Sequence, residues 1–203
     1  MCSKTLAAVA LLGFSTALLS AASVLTQETR IDEQGKTPVE VKFIQNGRIR
    51  LNVCPGEVKL MGKDEPLLRV SYYGRSSGDR VKVRIRTDGD HAEIWVRECP
   101  HNNFELTVEV PKTSNVQARM FAGQMGVYGI TGDKDVELHA GQLTMEIGKA
   151  DDYAHVDASV VTGDLEASAF DVSKGGLFRS FNKNGPGKHR LHAHVGAGEI
   201  DLR

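Results

Sequence analysis

The sequence predicts an all-β protein whose later half is a stacked β-coil of short strands turned at glycine corners. Three observations predict it. A tetrapeptide of small, glycine, polar and apolar residues recurs as Ala122-Gly123-Gln124-Met125, Ala140-Gly141-Gln142-Leu143, Thr162-Gly163-Asp164-Leu165 and Ala197-Gly198-Glu199-Ile200. Alternate residues before each glycine are apolar or small, as in Val136, Leu138 and Ala140, and the alternation resumes one residue out of phase as Leu143, Met145 and Ile147. No segment from residue 23 to 203 has a helical period. Strand, glycine corner, strand is the simplest unit that does this: period two buries one face and glycine relieves the strain of the bend. A sandwich made of hairpins is the alternative that the same alternation permits.

The elements follow in order. Residues 1–22 read as a signal peptide: Lys4 precedes an uncharged apolar run over residues 5–19, and Ser20-Ala21-Ala22 places small residues where a signal peptidase reads. The run is short for a membrane span, and Cys2 lies ahead of it, so no lipid anchor is indicated. Residues 23–37 form an exposed N-terminal segment. Residues 38–111 read as paired strands at 39–43, 48–53, 57–60, 68–72, 81–86, 92–96 and 104–110, with turn chemistry at Asn46-Gly47, Pro55-Gly56 and Asp88-Gly89-Asp90. Residues 112–203 carry the corner repeat, continuous with the preceding part as one domain. The corners Gly123, Gly141, Gly163 and Gly198 are spaced by 18, 22 and 35 residues. The last interval is close to twice the first, which predicts a degenerate or looped-out rung around Gly175 and Gly176. Small inward residues would then stack in layers and fill a narrow core.

Charge and cysteine content narrow the function classes. Against 25 Lys and Arg stand 26 Asp and Glu, a net charge of −1 that provides no basic face for nucleic acid. Lys82, Arg84 and Arg86 alternate so as to point one way and read as a solvated sheet face. After cleavage Cys54 and Cys99 remain, each followed by proline. An even pair in an exported chain predicts one structural disulfide, and two cysteines without a second CxxC or a His pair fall short of a structural zinc site.

The leader, the early strands ending in Leu106-Thr-Val-Glu-Val-Pro111, and the repeats closing on Gly198-Glu-Ile-Asp-Leu202 together resemble the bacterial "putative-adhesin" β-strand-repeat envelope proteins of unknown function. The resemblance spans roughly residues 38–203. It implies a right-handed β-solenoid-like fold in the periplasm, at the cell surface or outside the cell, and an adhesive or scaffolding role. It brings no catalytic residues. Gly126 and Gly129, crowding the rung after Met125, depart from the repeat.

Candidate chemistry is therefore sought in the residues themselves. His192 and His194 share the strand face opposite Leu191, Ala193 and Val195, and could hold a transition metal if neighbouring rungs supply further ligands. His139 and His155, beside Glu137 and Asp157, lie on outward faces that stacking could bring alongside. Polar residues on a wet sheet face explain all four equally, so no metal or other cofactor is assigned. Asp88, Asp90, Asp151 and Asp152 sit where turns favour Asp and match neither calcium-loop spacing. Gly185-Pro186-Gly187-Lys188 lacks the leading glycine, the Ser or Thr and the helix of a phosphate loop. Trp95, Tyr72, Tyr73 and Tyr128 could build a sugar-stacking platform, although Trp95 lies mid-strand and fits a core or sheet face. No nucleophile elbow or metalloprotease helix is present. The expectation is an exported, non-enzymatic envelope module, adhesin-like or scaffolding, with an unknown protein or glycan partner. A ligand-binding module, for carbohydrate or for metal at His192 and His194, is the alternative, and a glycan-active enzyme the third. The final Ile200-Asp201-Leu202 strand is expected to be a bare edge able to pair with another copy.

Overall fold

The computed structural model describes residues 28–74, 80–100 and 104–203. The leader read at residues 1–22 lies outside these residues. In chain order the strands are β1 (Thr29–Gln34), β2 (Val39–Lys42), β3 (Arg48–Val53), β4 (Gly56–Lys63), β5 (Leu67–Gly74), β6 (Lys82–Asp88), β7 (His91–Arg97), β8 (Phe104–Pro111), β9 (Asn115–Tyr128), β10 (Lys134–Met145), β11 (Tyr153–Ala167), β12 (Val172–Asn184) and β13 (His189–Leu202). All belong to one mixed, unclosed sheet whose edge strands are β1, β2 and β12. Each of the seven strands expected between residues 38 and 111 is present. β1 forms within the segment expected to be merely exposed, pairing antiparallel with β6.

β9, β10, β11 and β13 are long because each stays paired through its glycine, with only the residue two before it (Phe121, His139, Val161 and Gly196) missing from the ladder. In β9, Val116, Ala118 and Met120 are buried before the corner and Met125 and Val127 after it; in β10, Val136 and Leu138 are followed by Leu143 and Met145. A one-residue slip exchanges the faces of a strand, so burial stays on one side only if the strand turns at the glycine. The turn splits the sheet into two arms. Before the corner, β9 continues laterally into β3, β7, β6 and β1; after it, β9 continues into β4, β8, β5 and β2. Apolar residues of both arms form one core, among them Leu51, Ile94 and Leu138 from the first and Leu60, Leu106 and Leu143 from the second.

The corners stack in register as Gly56, Gly123, Gly141, Gly198, Gly163 and Gly176. All six have positive φ, from +115° to +153°. A Cβ on Gly141 would lie 1.8 Å from the carbonyl oxygen of Gly123, and one on Gly198 1.8 Å from that of Gly141, so the inner positions of the column have no room for a side chain. Gly56 belongs to this column, which corrects the reading of Pro55-Gly56 as a simple hairpin turn.

The rungs stack out of chain order, β10-β13-β11-β12, so the chain does not climb as a continuous coil. Residues 172–184, expected as a degenerate or looped-out rung, form β12, antiparallel to β11 with Gly176 opposite Gly163, so the rung is degenerate and paired. β13 lies between β10 and β11, parallel to both, and the expected bare C-terminal edge is therefore an interior strand. Burial explains the insertion. Leu191, Ala193, Val195, Ile200 and Leu202 are all buried and need neighbours on both sides, whereas β12 is exposed along nearly its whole length and tolerates the rim.

Cys54 and Cys99 follow the adjacent parallel strands β3 and β7, and their sulfurs are bonded. In the loop-entropy model, closing this 45-residue separation stabilises the fold by about 3 to 4 kcal/mol. One inward position breaks the apolar rule: Lys134, only 2% exposed, points its Nζ at the Tyr153 hydroxyl, 2.6 Å away, and lies over that ring at 5.0 Å.

Candidate functional site

The outer face of the first arm gathers most of the singled-out polar residues. Register places Arg86, Glu93, Arg50, Gln117, Asp135, His192, Asp157 and Asn182 side by side in one row across eight strands. Two residues along each strand runs a second row, Arg84, Trp95, Asn52, Arg119, Glu137, His194, Ser159 and Ser180. In-register pairing makes this inevitable, because period two repeats the same face on every strand.

Hydrogen bonds knit the rows. Arg50 Nε donates to Gln117 Oε1 at 2.9 Å, and Gln117 Nε2 to Asp135 Oδ2 at 3.0 Å. Arg119 bridges Asp135 and Glu137 at 2.9 and 3.0 Å, and its Nη1 also donates to the Asp135 carbonyl. Burial pushes the Asp135 carboxyl up, but the hydrogen bonds from Arg119 and Gln117 outweigh it and hold the group below the ordinary carboxylate range. His192 Nδ1 lies 3.2 Å from Asp157 Oδ2. His192 Nε2 is 3.9 Å from Glu137 Oε1.

Stacking thus brings carboxylates from neighbouring rungs to His192, but not His194. Ligand atoms of Asp135, Glu137 and His192 lie within 4.8 Å of one another. His194 Nδ1 pairs instead with Ser159 Oγ at 2.9 Å, and His155 Nδ1 with Asn184 Oδ1 at 2.7 Å. Arg119 already serves as the cation for both carboxylates, so an ion could converge these three groups only by displacing a guanidinium held by several bonds. Asp135, held below the ordinary carboxylate range, is shifted the opposite way from a glycosidase acid.

Beside the glycine corner the outer face opens into a cleft of about 1060 Å³. Trp95, Asn52, Arg119, Glu137 and His194 line it, with Phe121, His139 and the Cys54–Cys99 bridge. Phe121 is 66% exposed and stacks nearly parallel on His139, centroids 4.9 Å apart with planes 15° apart. A second hollow of about 570 Å³ continues along the same face past Arg48, Arg50, Arg86 and Glu93. Sequence reasoning missed Phe121 and Arg119. The available signal was parity: Phe121 falls between the inward Met120 and the corner, so its ring must point out.

The remaining candidates disperse. Tyr72 and Tyr73 sit on β5 and Tyr128 on the second arm of β9, away from Trp95, which lies on the outer face of the first arm. Asp90 pairs with Arg48 at 2.9 Å, and Asp151 and Asp152 lie in an exposed 3-10 turn. Lys82, Arg84 and Arg86 are exposed and paired with Glu98, Asp32 and Glu28, the solvated face expected of them. No helix of the described residues is long and apolar enough to cross a membrane.

No family model and no curated protein matches the chain. Among solved structures it is similar to a crystal structure described as a putative cell adhesion protein from Clostridium sporogenes ATCC 15579. The two are 12% identical with a TM-score of 0.51, over 87% of this chain and 99% of that one. At this identity the likeness concerns the fold: an all-β chain with a large sheet.

Proposed function

We propose that this chain is an exported, non-enzymatic envelope module, adhesin-like or scaffolding, that binds its partner with the outer face of the first arm. One observation carries the reading: eight in-register strands set polar and charged side chains in continuous rows, cross-braced by Arg119, Gln117 and His192. A braced face loses little side-chain freedom on contact, which favours recognition over turnover. The leader pattern of residues 1–22 and the disulfide support an oxidising compartment outside the inner membrane. The adhesion description of the structurally similar protein accords with the role. Asp135 and Glu137 are both bound to Arg119, which supports a non-enzymatic reading.

The test is to express the full chain in a bacterial host, fractionate the cells and sequence the N-terminus of the recovered protein. Processing before Ser23 with recovery outside the cytoplasm is expected, as is adhesion of the processed protein to bacterial or host cell surfaces. Unprocessed cytoplasmic protein, or processed protein adhering to neither surface, would overturn the reading.

A further inference from the structure

We infer that the cleft beside the glycine corner is a binding site for a neutral oligosaccharide, with Phe121 and Trp95 as its apolar walls. The inference deepens the adhesive reading and rests on it.

The argument begins with exposure. A phenylalanine that keeps two thirds of its surface in water, on a molecule whose other phenylalanines and leucines are mostly buried, presents apolar area at no packing advantage to the fold. Phe121 is held there: it lies on His139 with the two rings almost parallel, so the imidazole backs the phenyl ring and fixes its orientation. Trp95 lines the same cleft from β7. Between β7 and β9 lies β3 alone, and Phe121 stands two residues beyond Arg119, the position level with Trp95, so the two aromatic positions are about 12 Å apart along the face.

The chemistry of the walls selects the ligand. A pyranose has one or two faces of C–H groups and a rim of hydroxyls, and matches a site that offers aromatic faces together with fixed donors and acceptors. Here Arg119 and Glu137 stand on the floor, fixed by their mutual salt bridge. His194 uses Nδ1 for Ser159, with Nε2 unpaired among the described residues. The charges of Arg97 and Arg119 cancel those of Glu98 and Glu137 around the cleft, which disfavours an anionic or cationic ligand. The disulfide ties the turn after β3 to the loop after β7 and so fixes one wall before any ligand arrives. The second hollow is lined by the neighbouring row of the same face, Glu93, Arg50, Gln117 and Asp135, so the two hollows lie along one face, which suits a chain of sugars better than a single ring.

The chain contains one tryptophan, so Trp95 reports on its own site. Emission is recorded while the processed full chain is titrated with cellotetraose, chitotetraose, maltotetraose and xylotetraose, each to about 10 mM, which detects complexes as weak as the millimolar range. At least one should give a saturable change. Phe121→Ala should weaken that sugar about tenfold or more with an unchanged melting temperature, since the ring is exposed, and Glu137→Gln should weaken it with the tryptophan signal retained. No response to any of the four sugars, or equal affinity in Phe121→Ala, would overturn the inference. Cell adhesion by the same proteins separates the two readings. Adhesion that survives Phe121→Ala leaves the adhesive reading standing and removes the cleft as its site. Sugar binding without adhesion keeps the site and removes the adhesive role.

Discussion

Gly141 and Gly148 both have positive φ, +127° and +72°, yet their neighbourhoods differ completely. A Cβ on Gly141 would collide with the Gly123 backbone, whereas one on Gly148 would meet nothing within 4 Å. Gly148→Ala should therefore cost only the left-handed penalty of about 1 to 2 kcal/mol. Gly141→Ala should cost clearly more, about 4 kcal/mol or above, because two backbones must separate; urea denaturation of the two variants checks the order. Lys134 makes a second residue-scale prediction. Its burial lowers its pKa to about 8, and burial with the nearby Asp152 and Asp133 charges raises Tyr153 to about 12. Between pH 8 and 10.5 the native state has released the lysine proton while the unfolded chain still holds it, so stability rises with pH, by up to about 3 kcal/mol. Above pH 10 the native state keeps the tyrosine proton that the unfolded chain loses, so stability falls again. Thermal melts from pH 7 to 11 should show a maximum near pH 10, and Lys134→Met should abolish the rise.

At the scale of elements, β13 inserts between β10 and β11 and leaves β12 at the rim. A proline in an edge strand can be tolerated; in an interior strand it removes a ladder hydrogen bond and disturbs both neighbours. Ile200→Pro in β13 should cost about 3 kcal/mol or more and lower the denaturation midpoint sharply, while Phe178→Ala in β12, 78% exposed, should stay within about 0.5 kcal/mol. An Ile200→Pro variant as stable as the wild type would mean that the C-terminal strand is at the rim after all. The corner tetrapeptide made β9, β10, β11 and β13 visible in the sequence as two-armed strands. β12 was not visible because Val172-Ser-Lys-Gly-Gly-Leu-Phe has no alternation: an edge strand that buries nothing has no face for a period to mark.

For the whole molecule, the sequence by itself determined the class and the faces. The parity of Val136, Leu138, Leu143 and Met145 required period-two strands, and its slip at each glycine required a corner, because burying one side through a bend leaves no other solution. It also determined that His192, Glu137 and Asp157 would point outward, since each alternates with a buried neighbour. The order of the rungs was decided only by tertiary structure. β10, β11 and β13 have interchangeable corners, and the choice between them depends on which apolar rows must be covered on both sides, a property of the assembled core. The site was decided at the same level. Arg119 meets Glu137, and Phe121 meets His139, across a register that no single strand encodes. Trp95 comes to their cleft from β7, two strands from β9, because β3 pairs with both. Local alternation specifies which way a side chain points, whereas its neighbours are specified by strand order, which is a sum over the whole core.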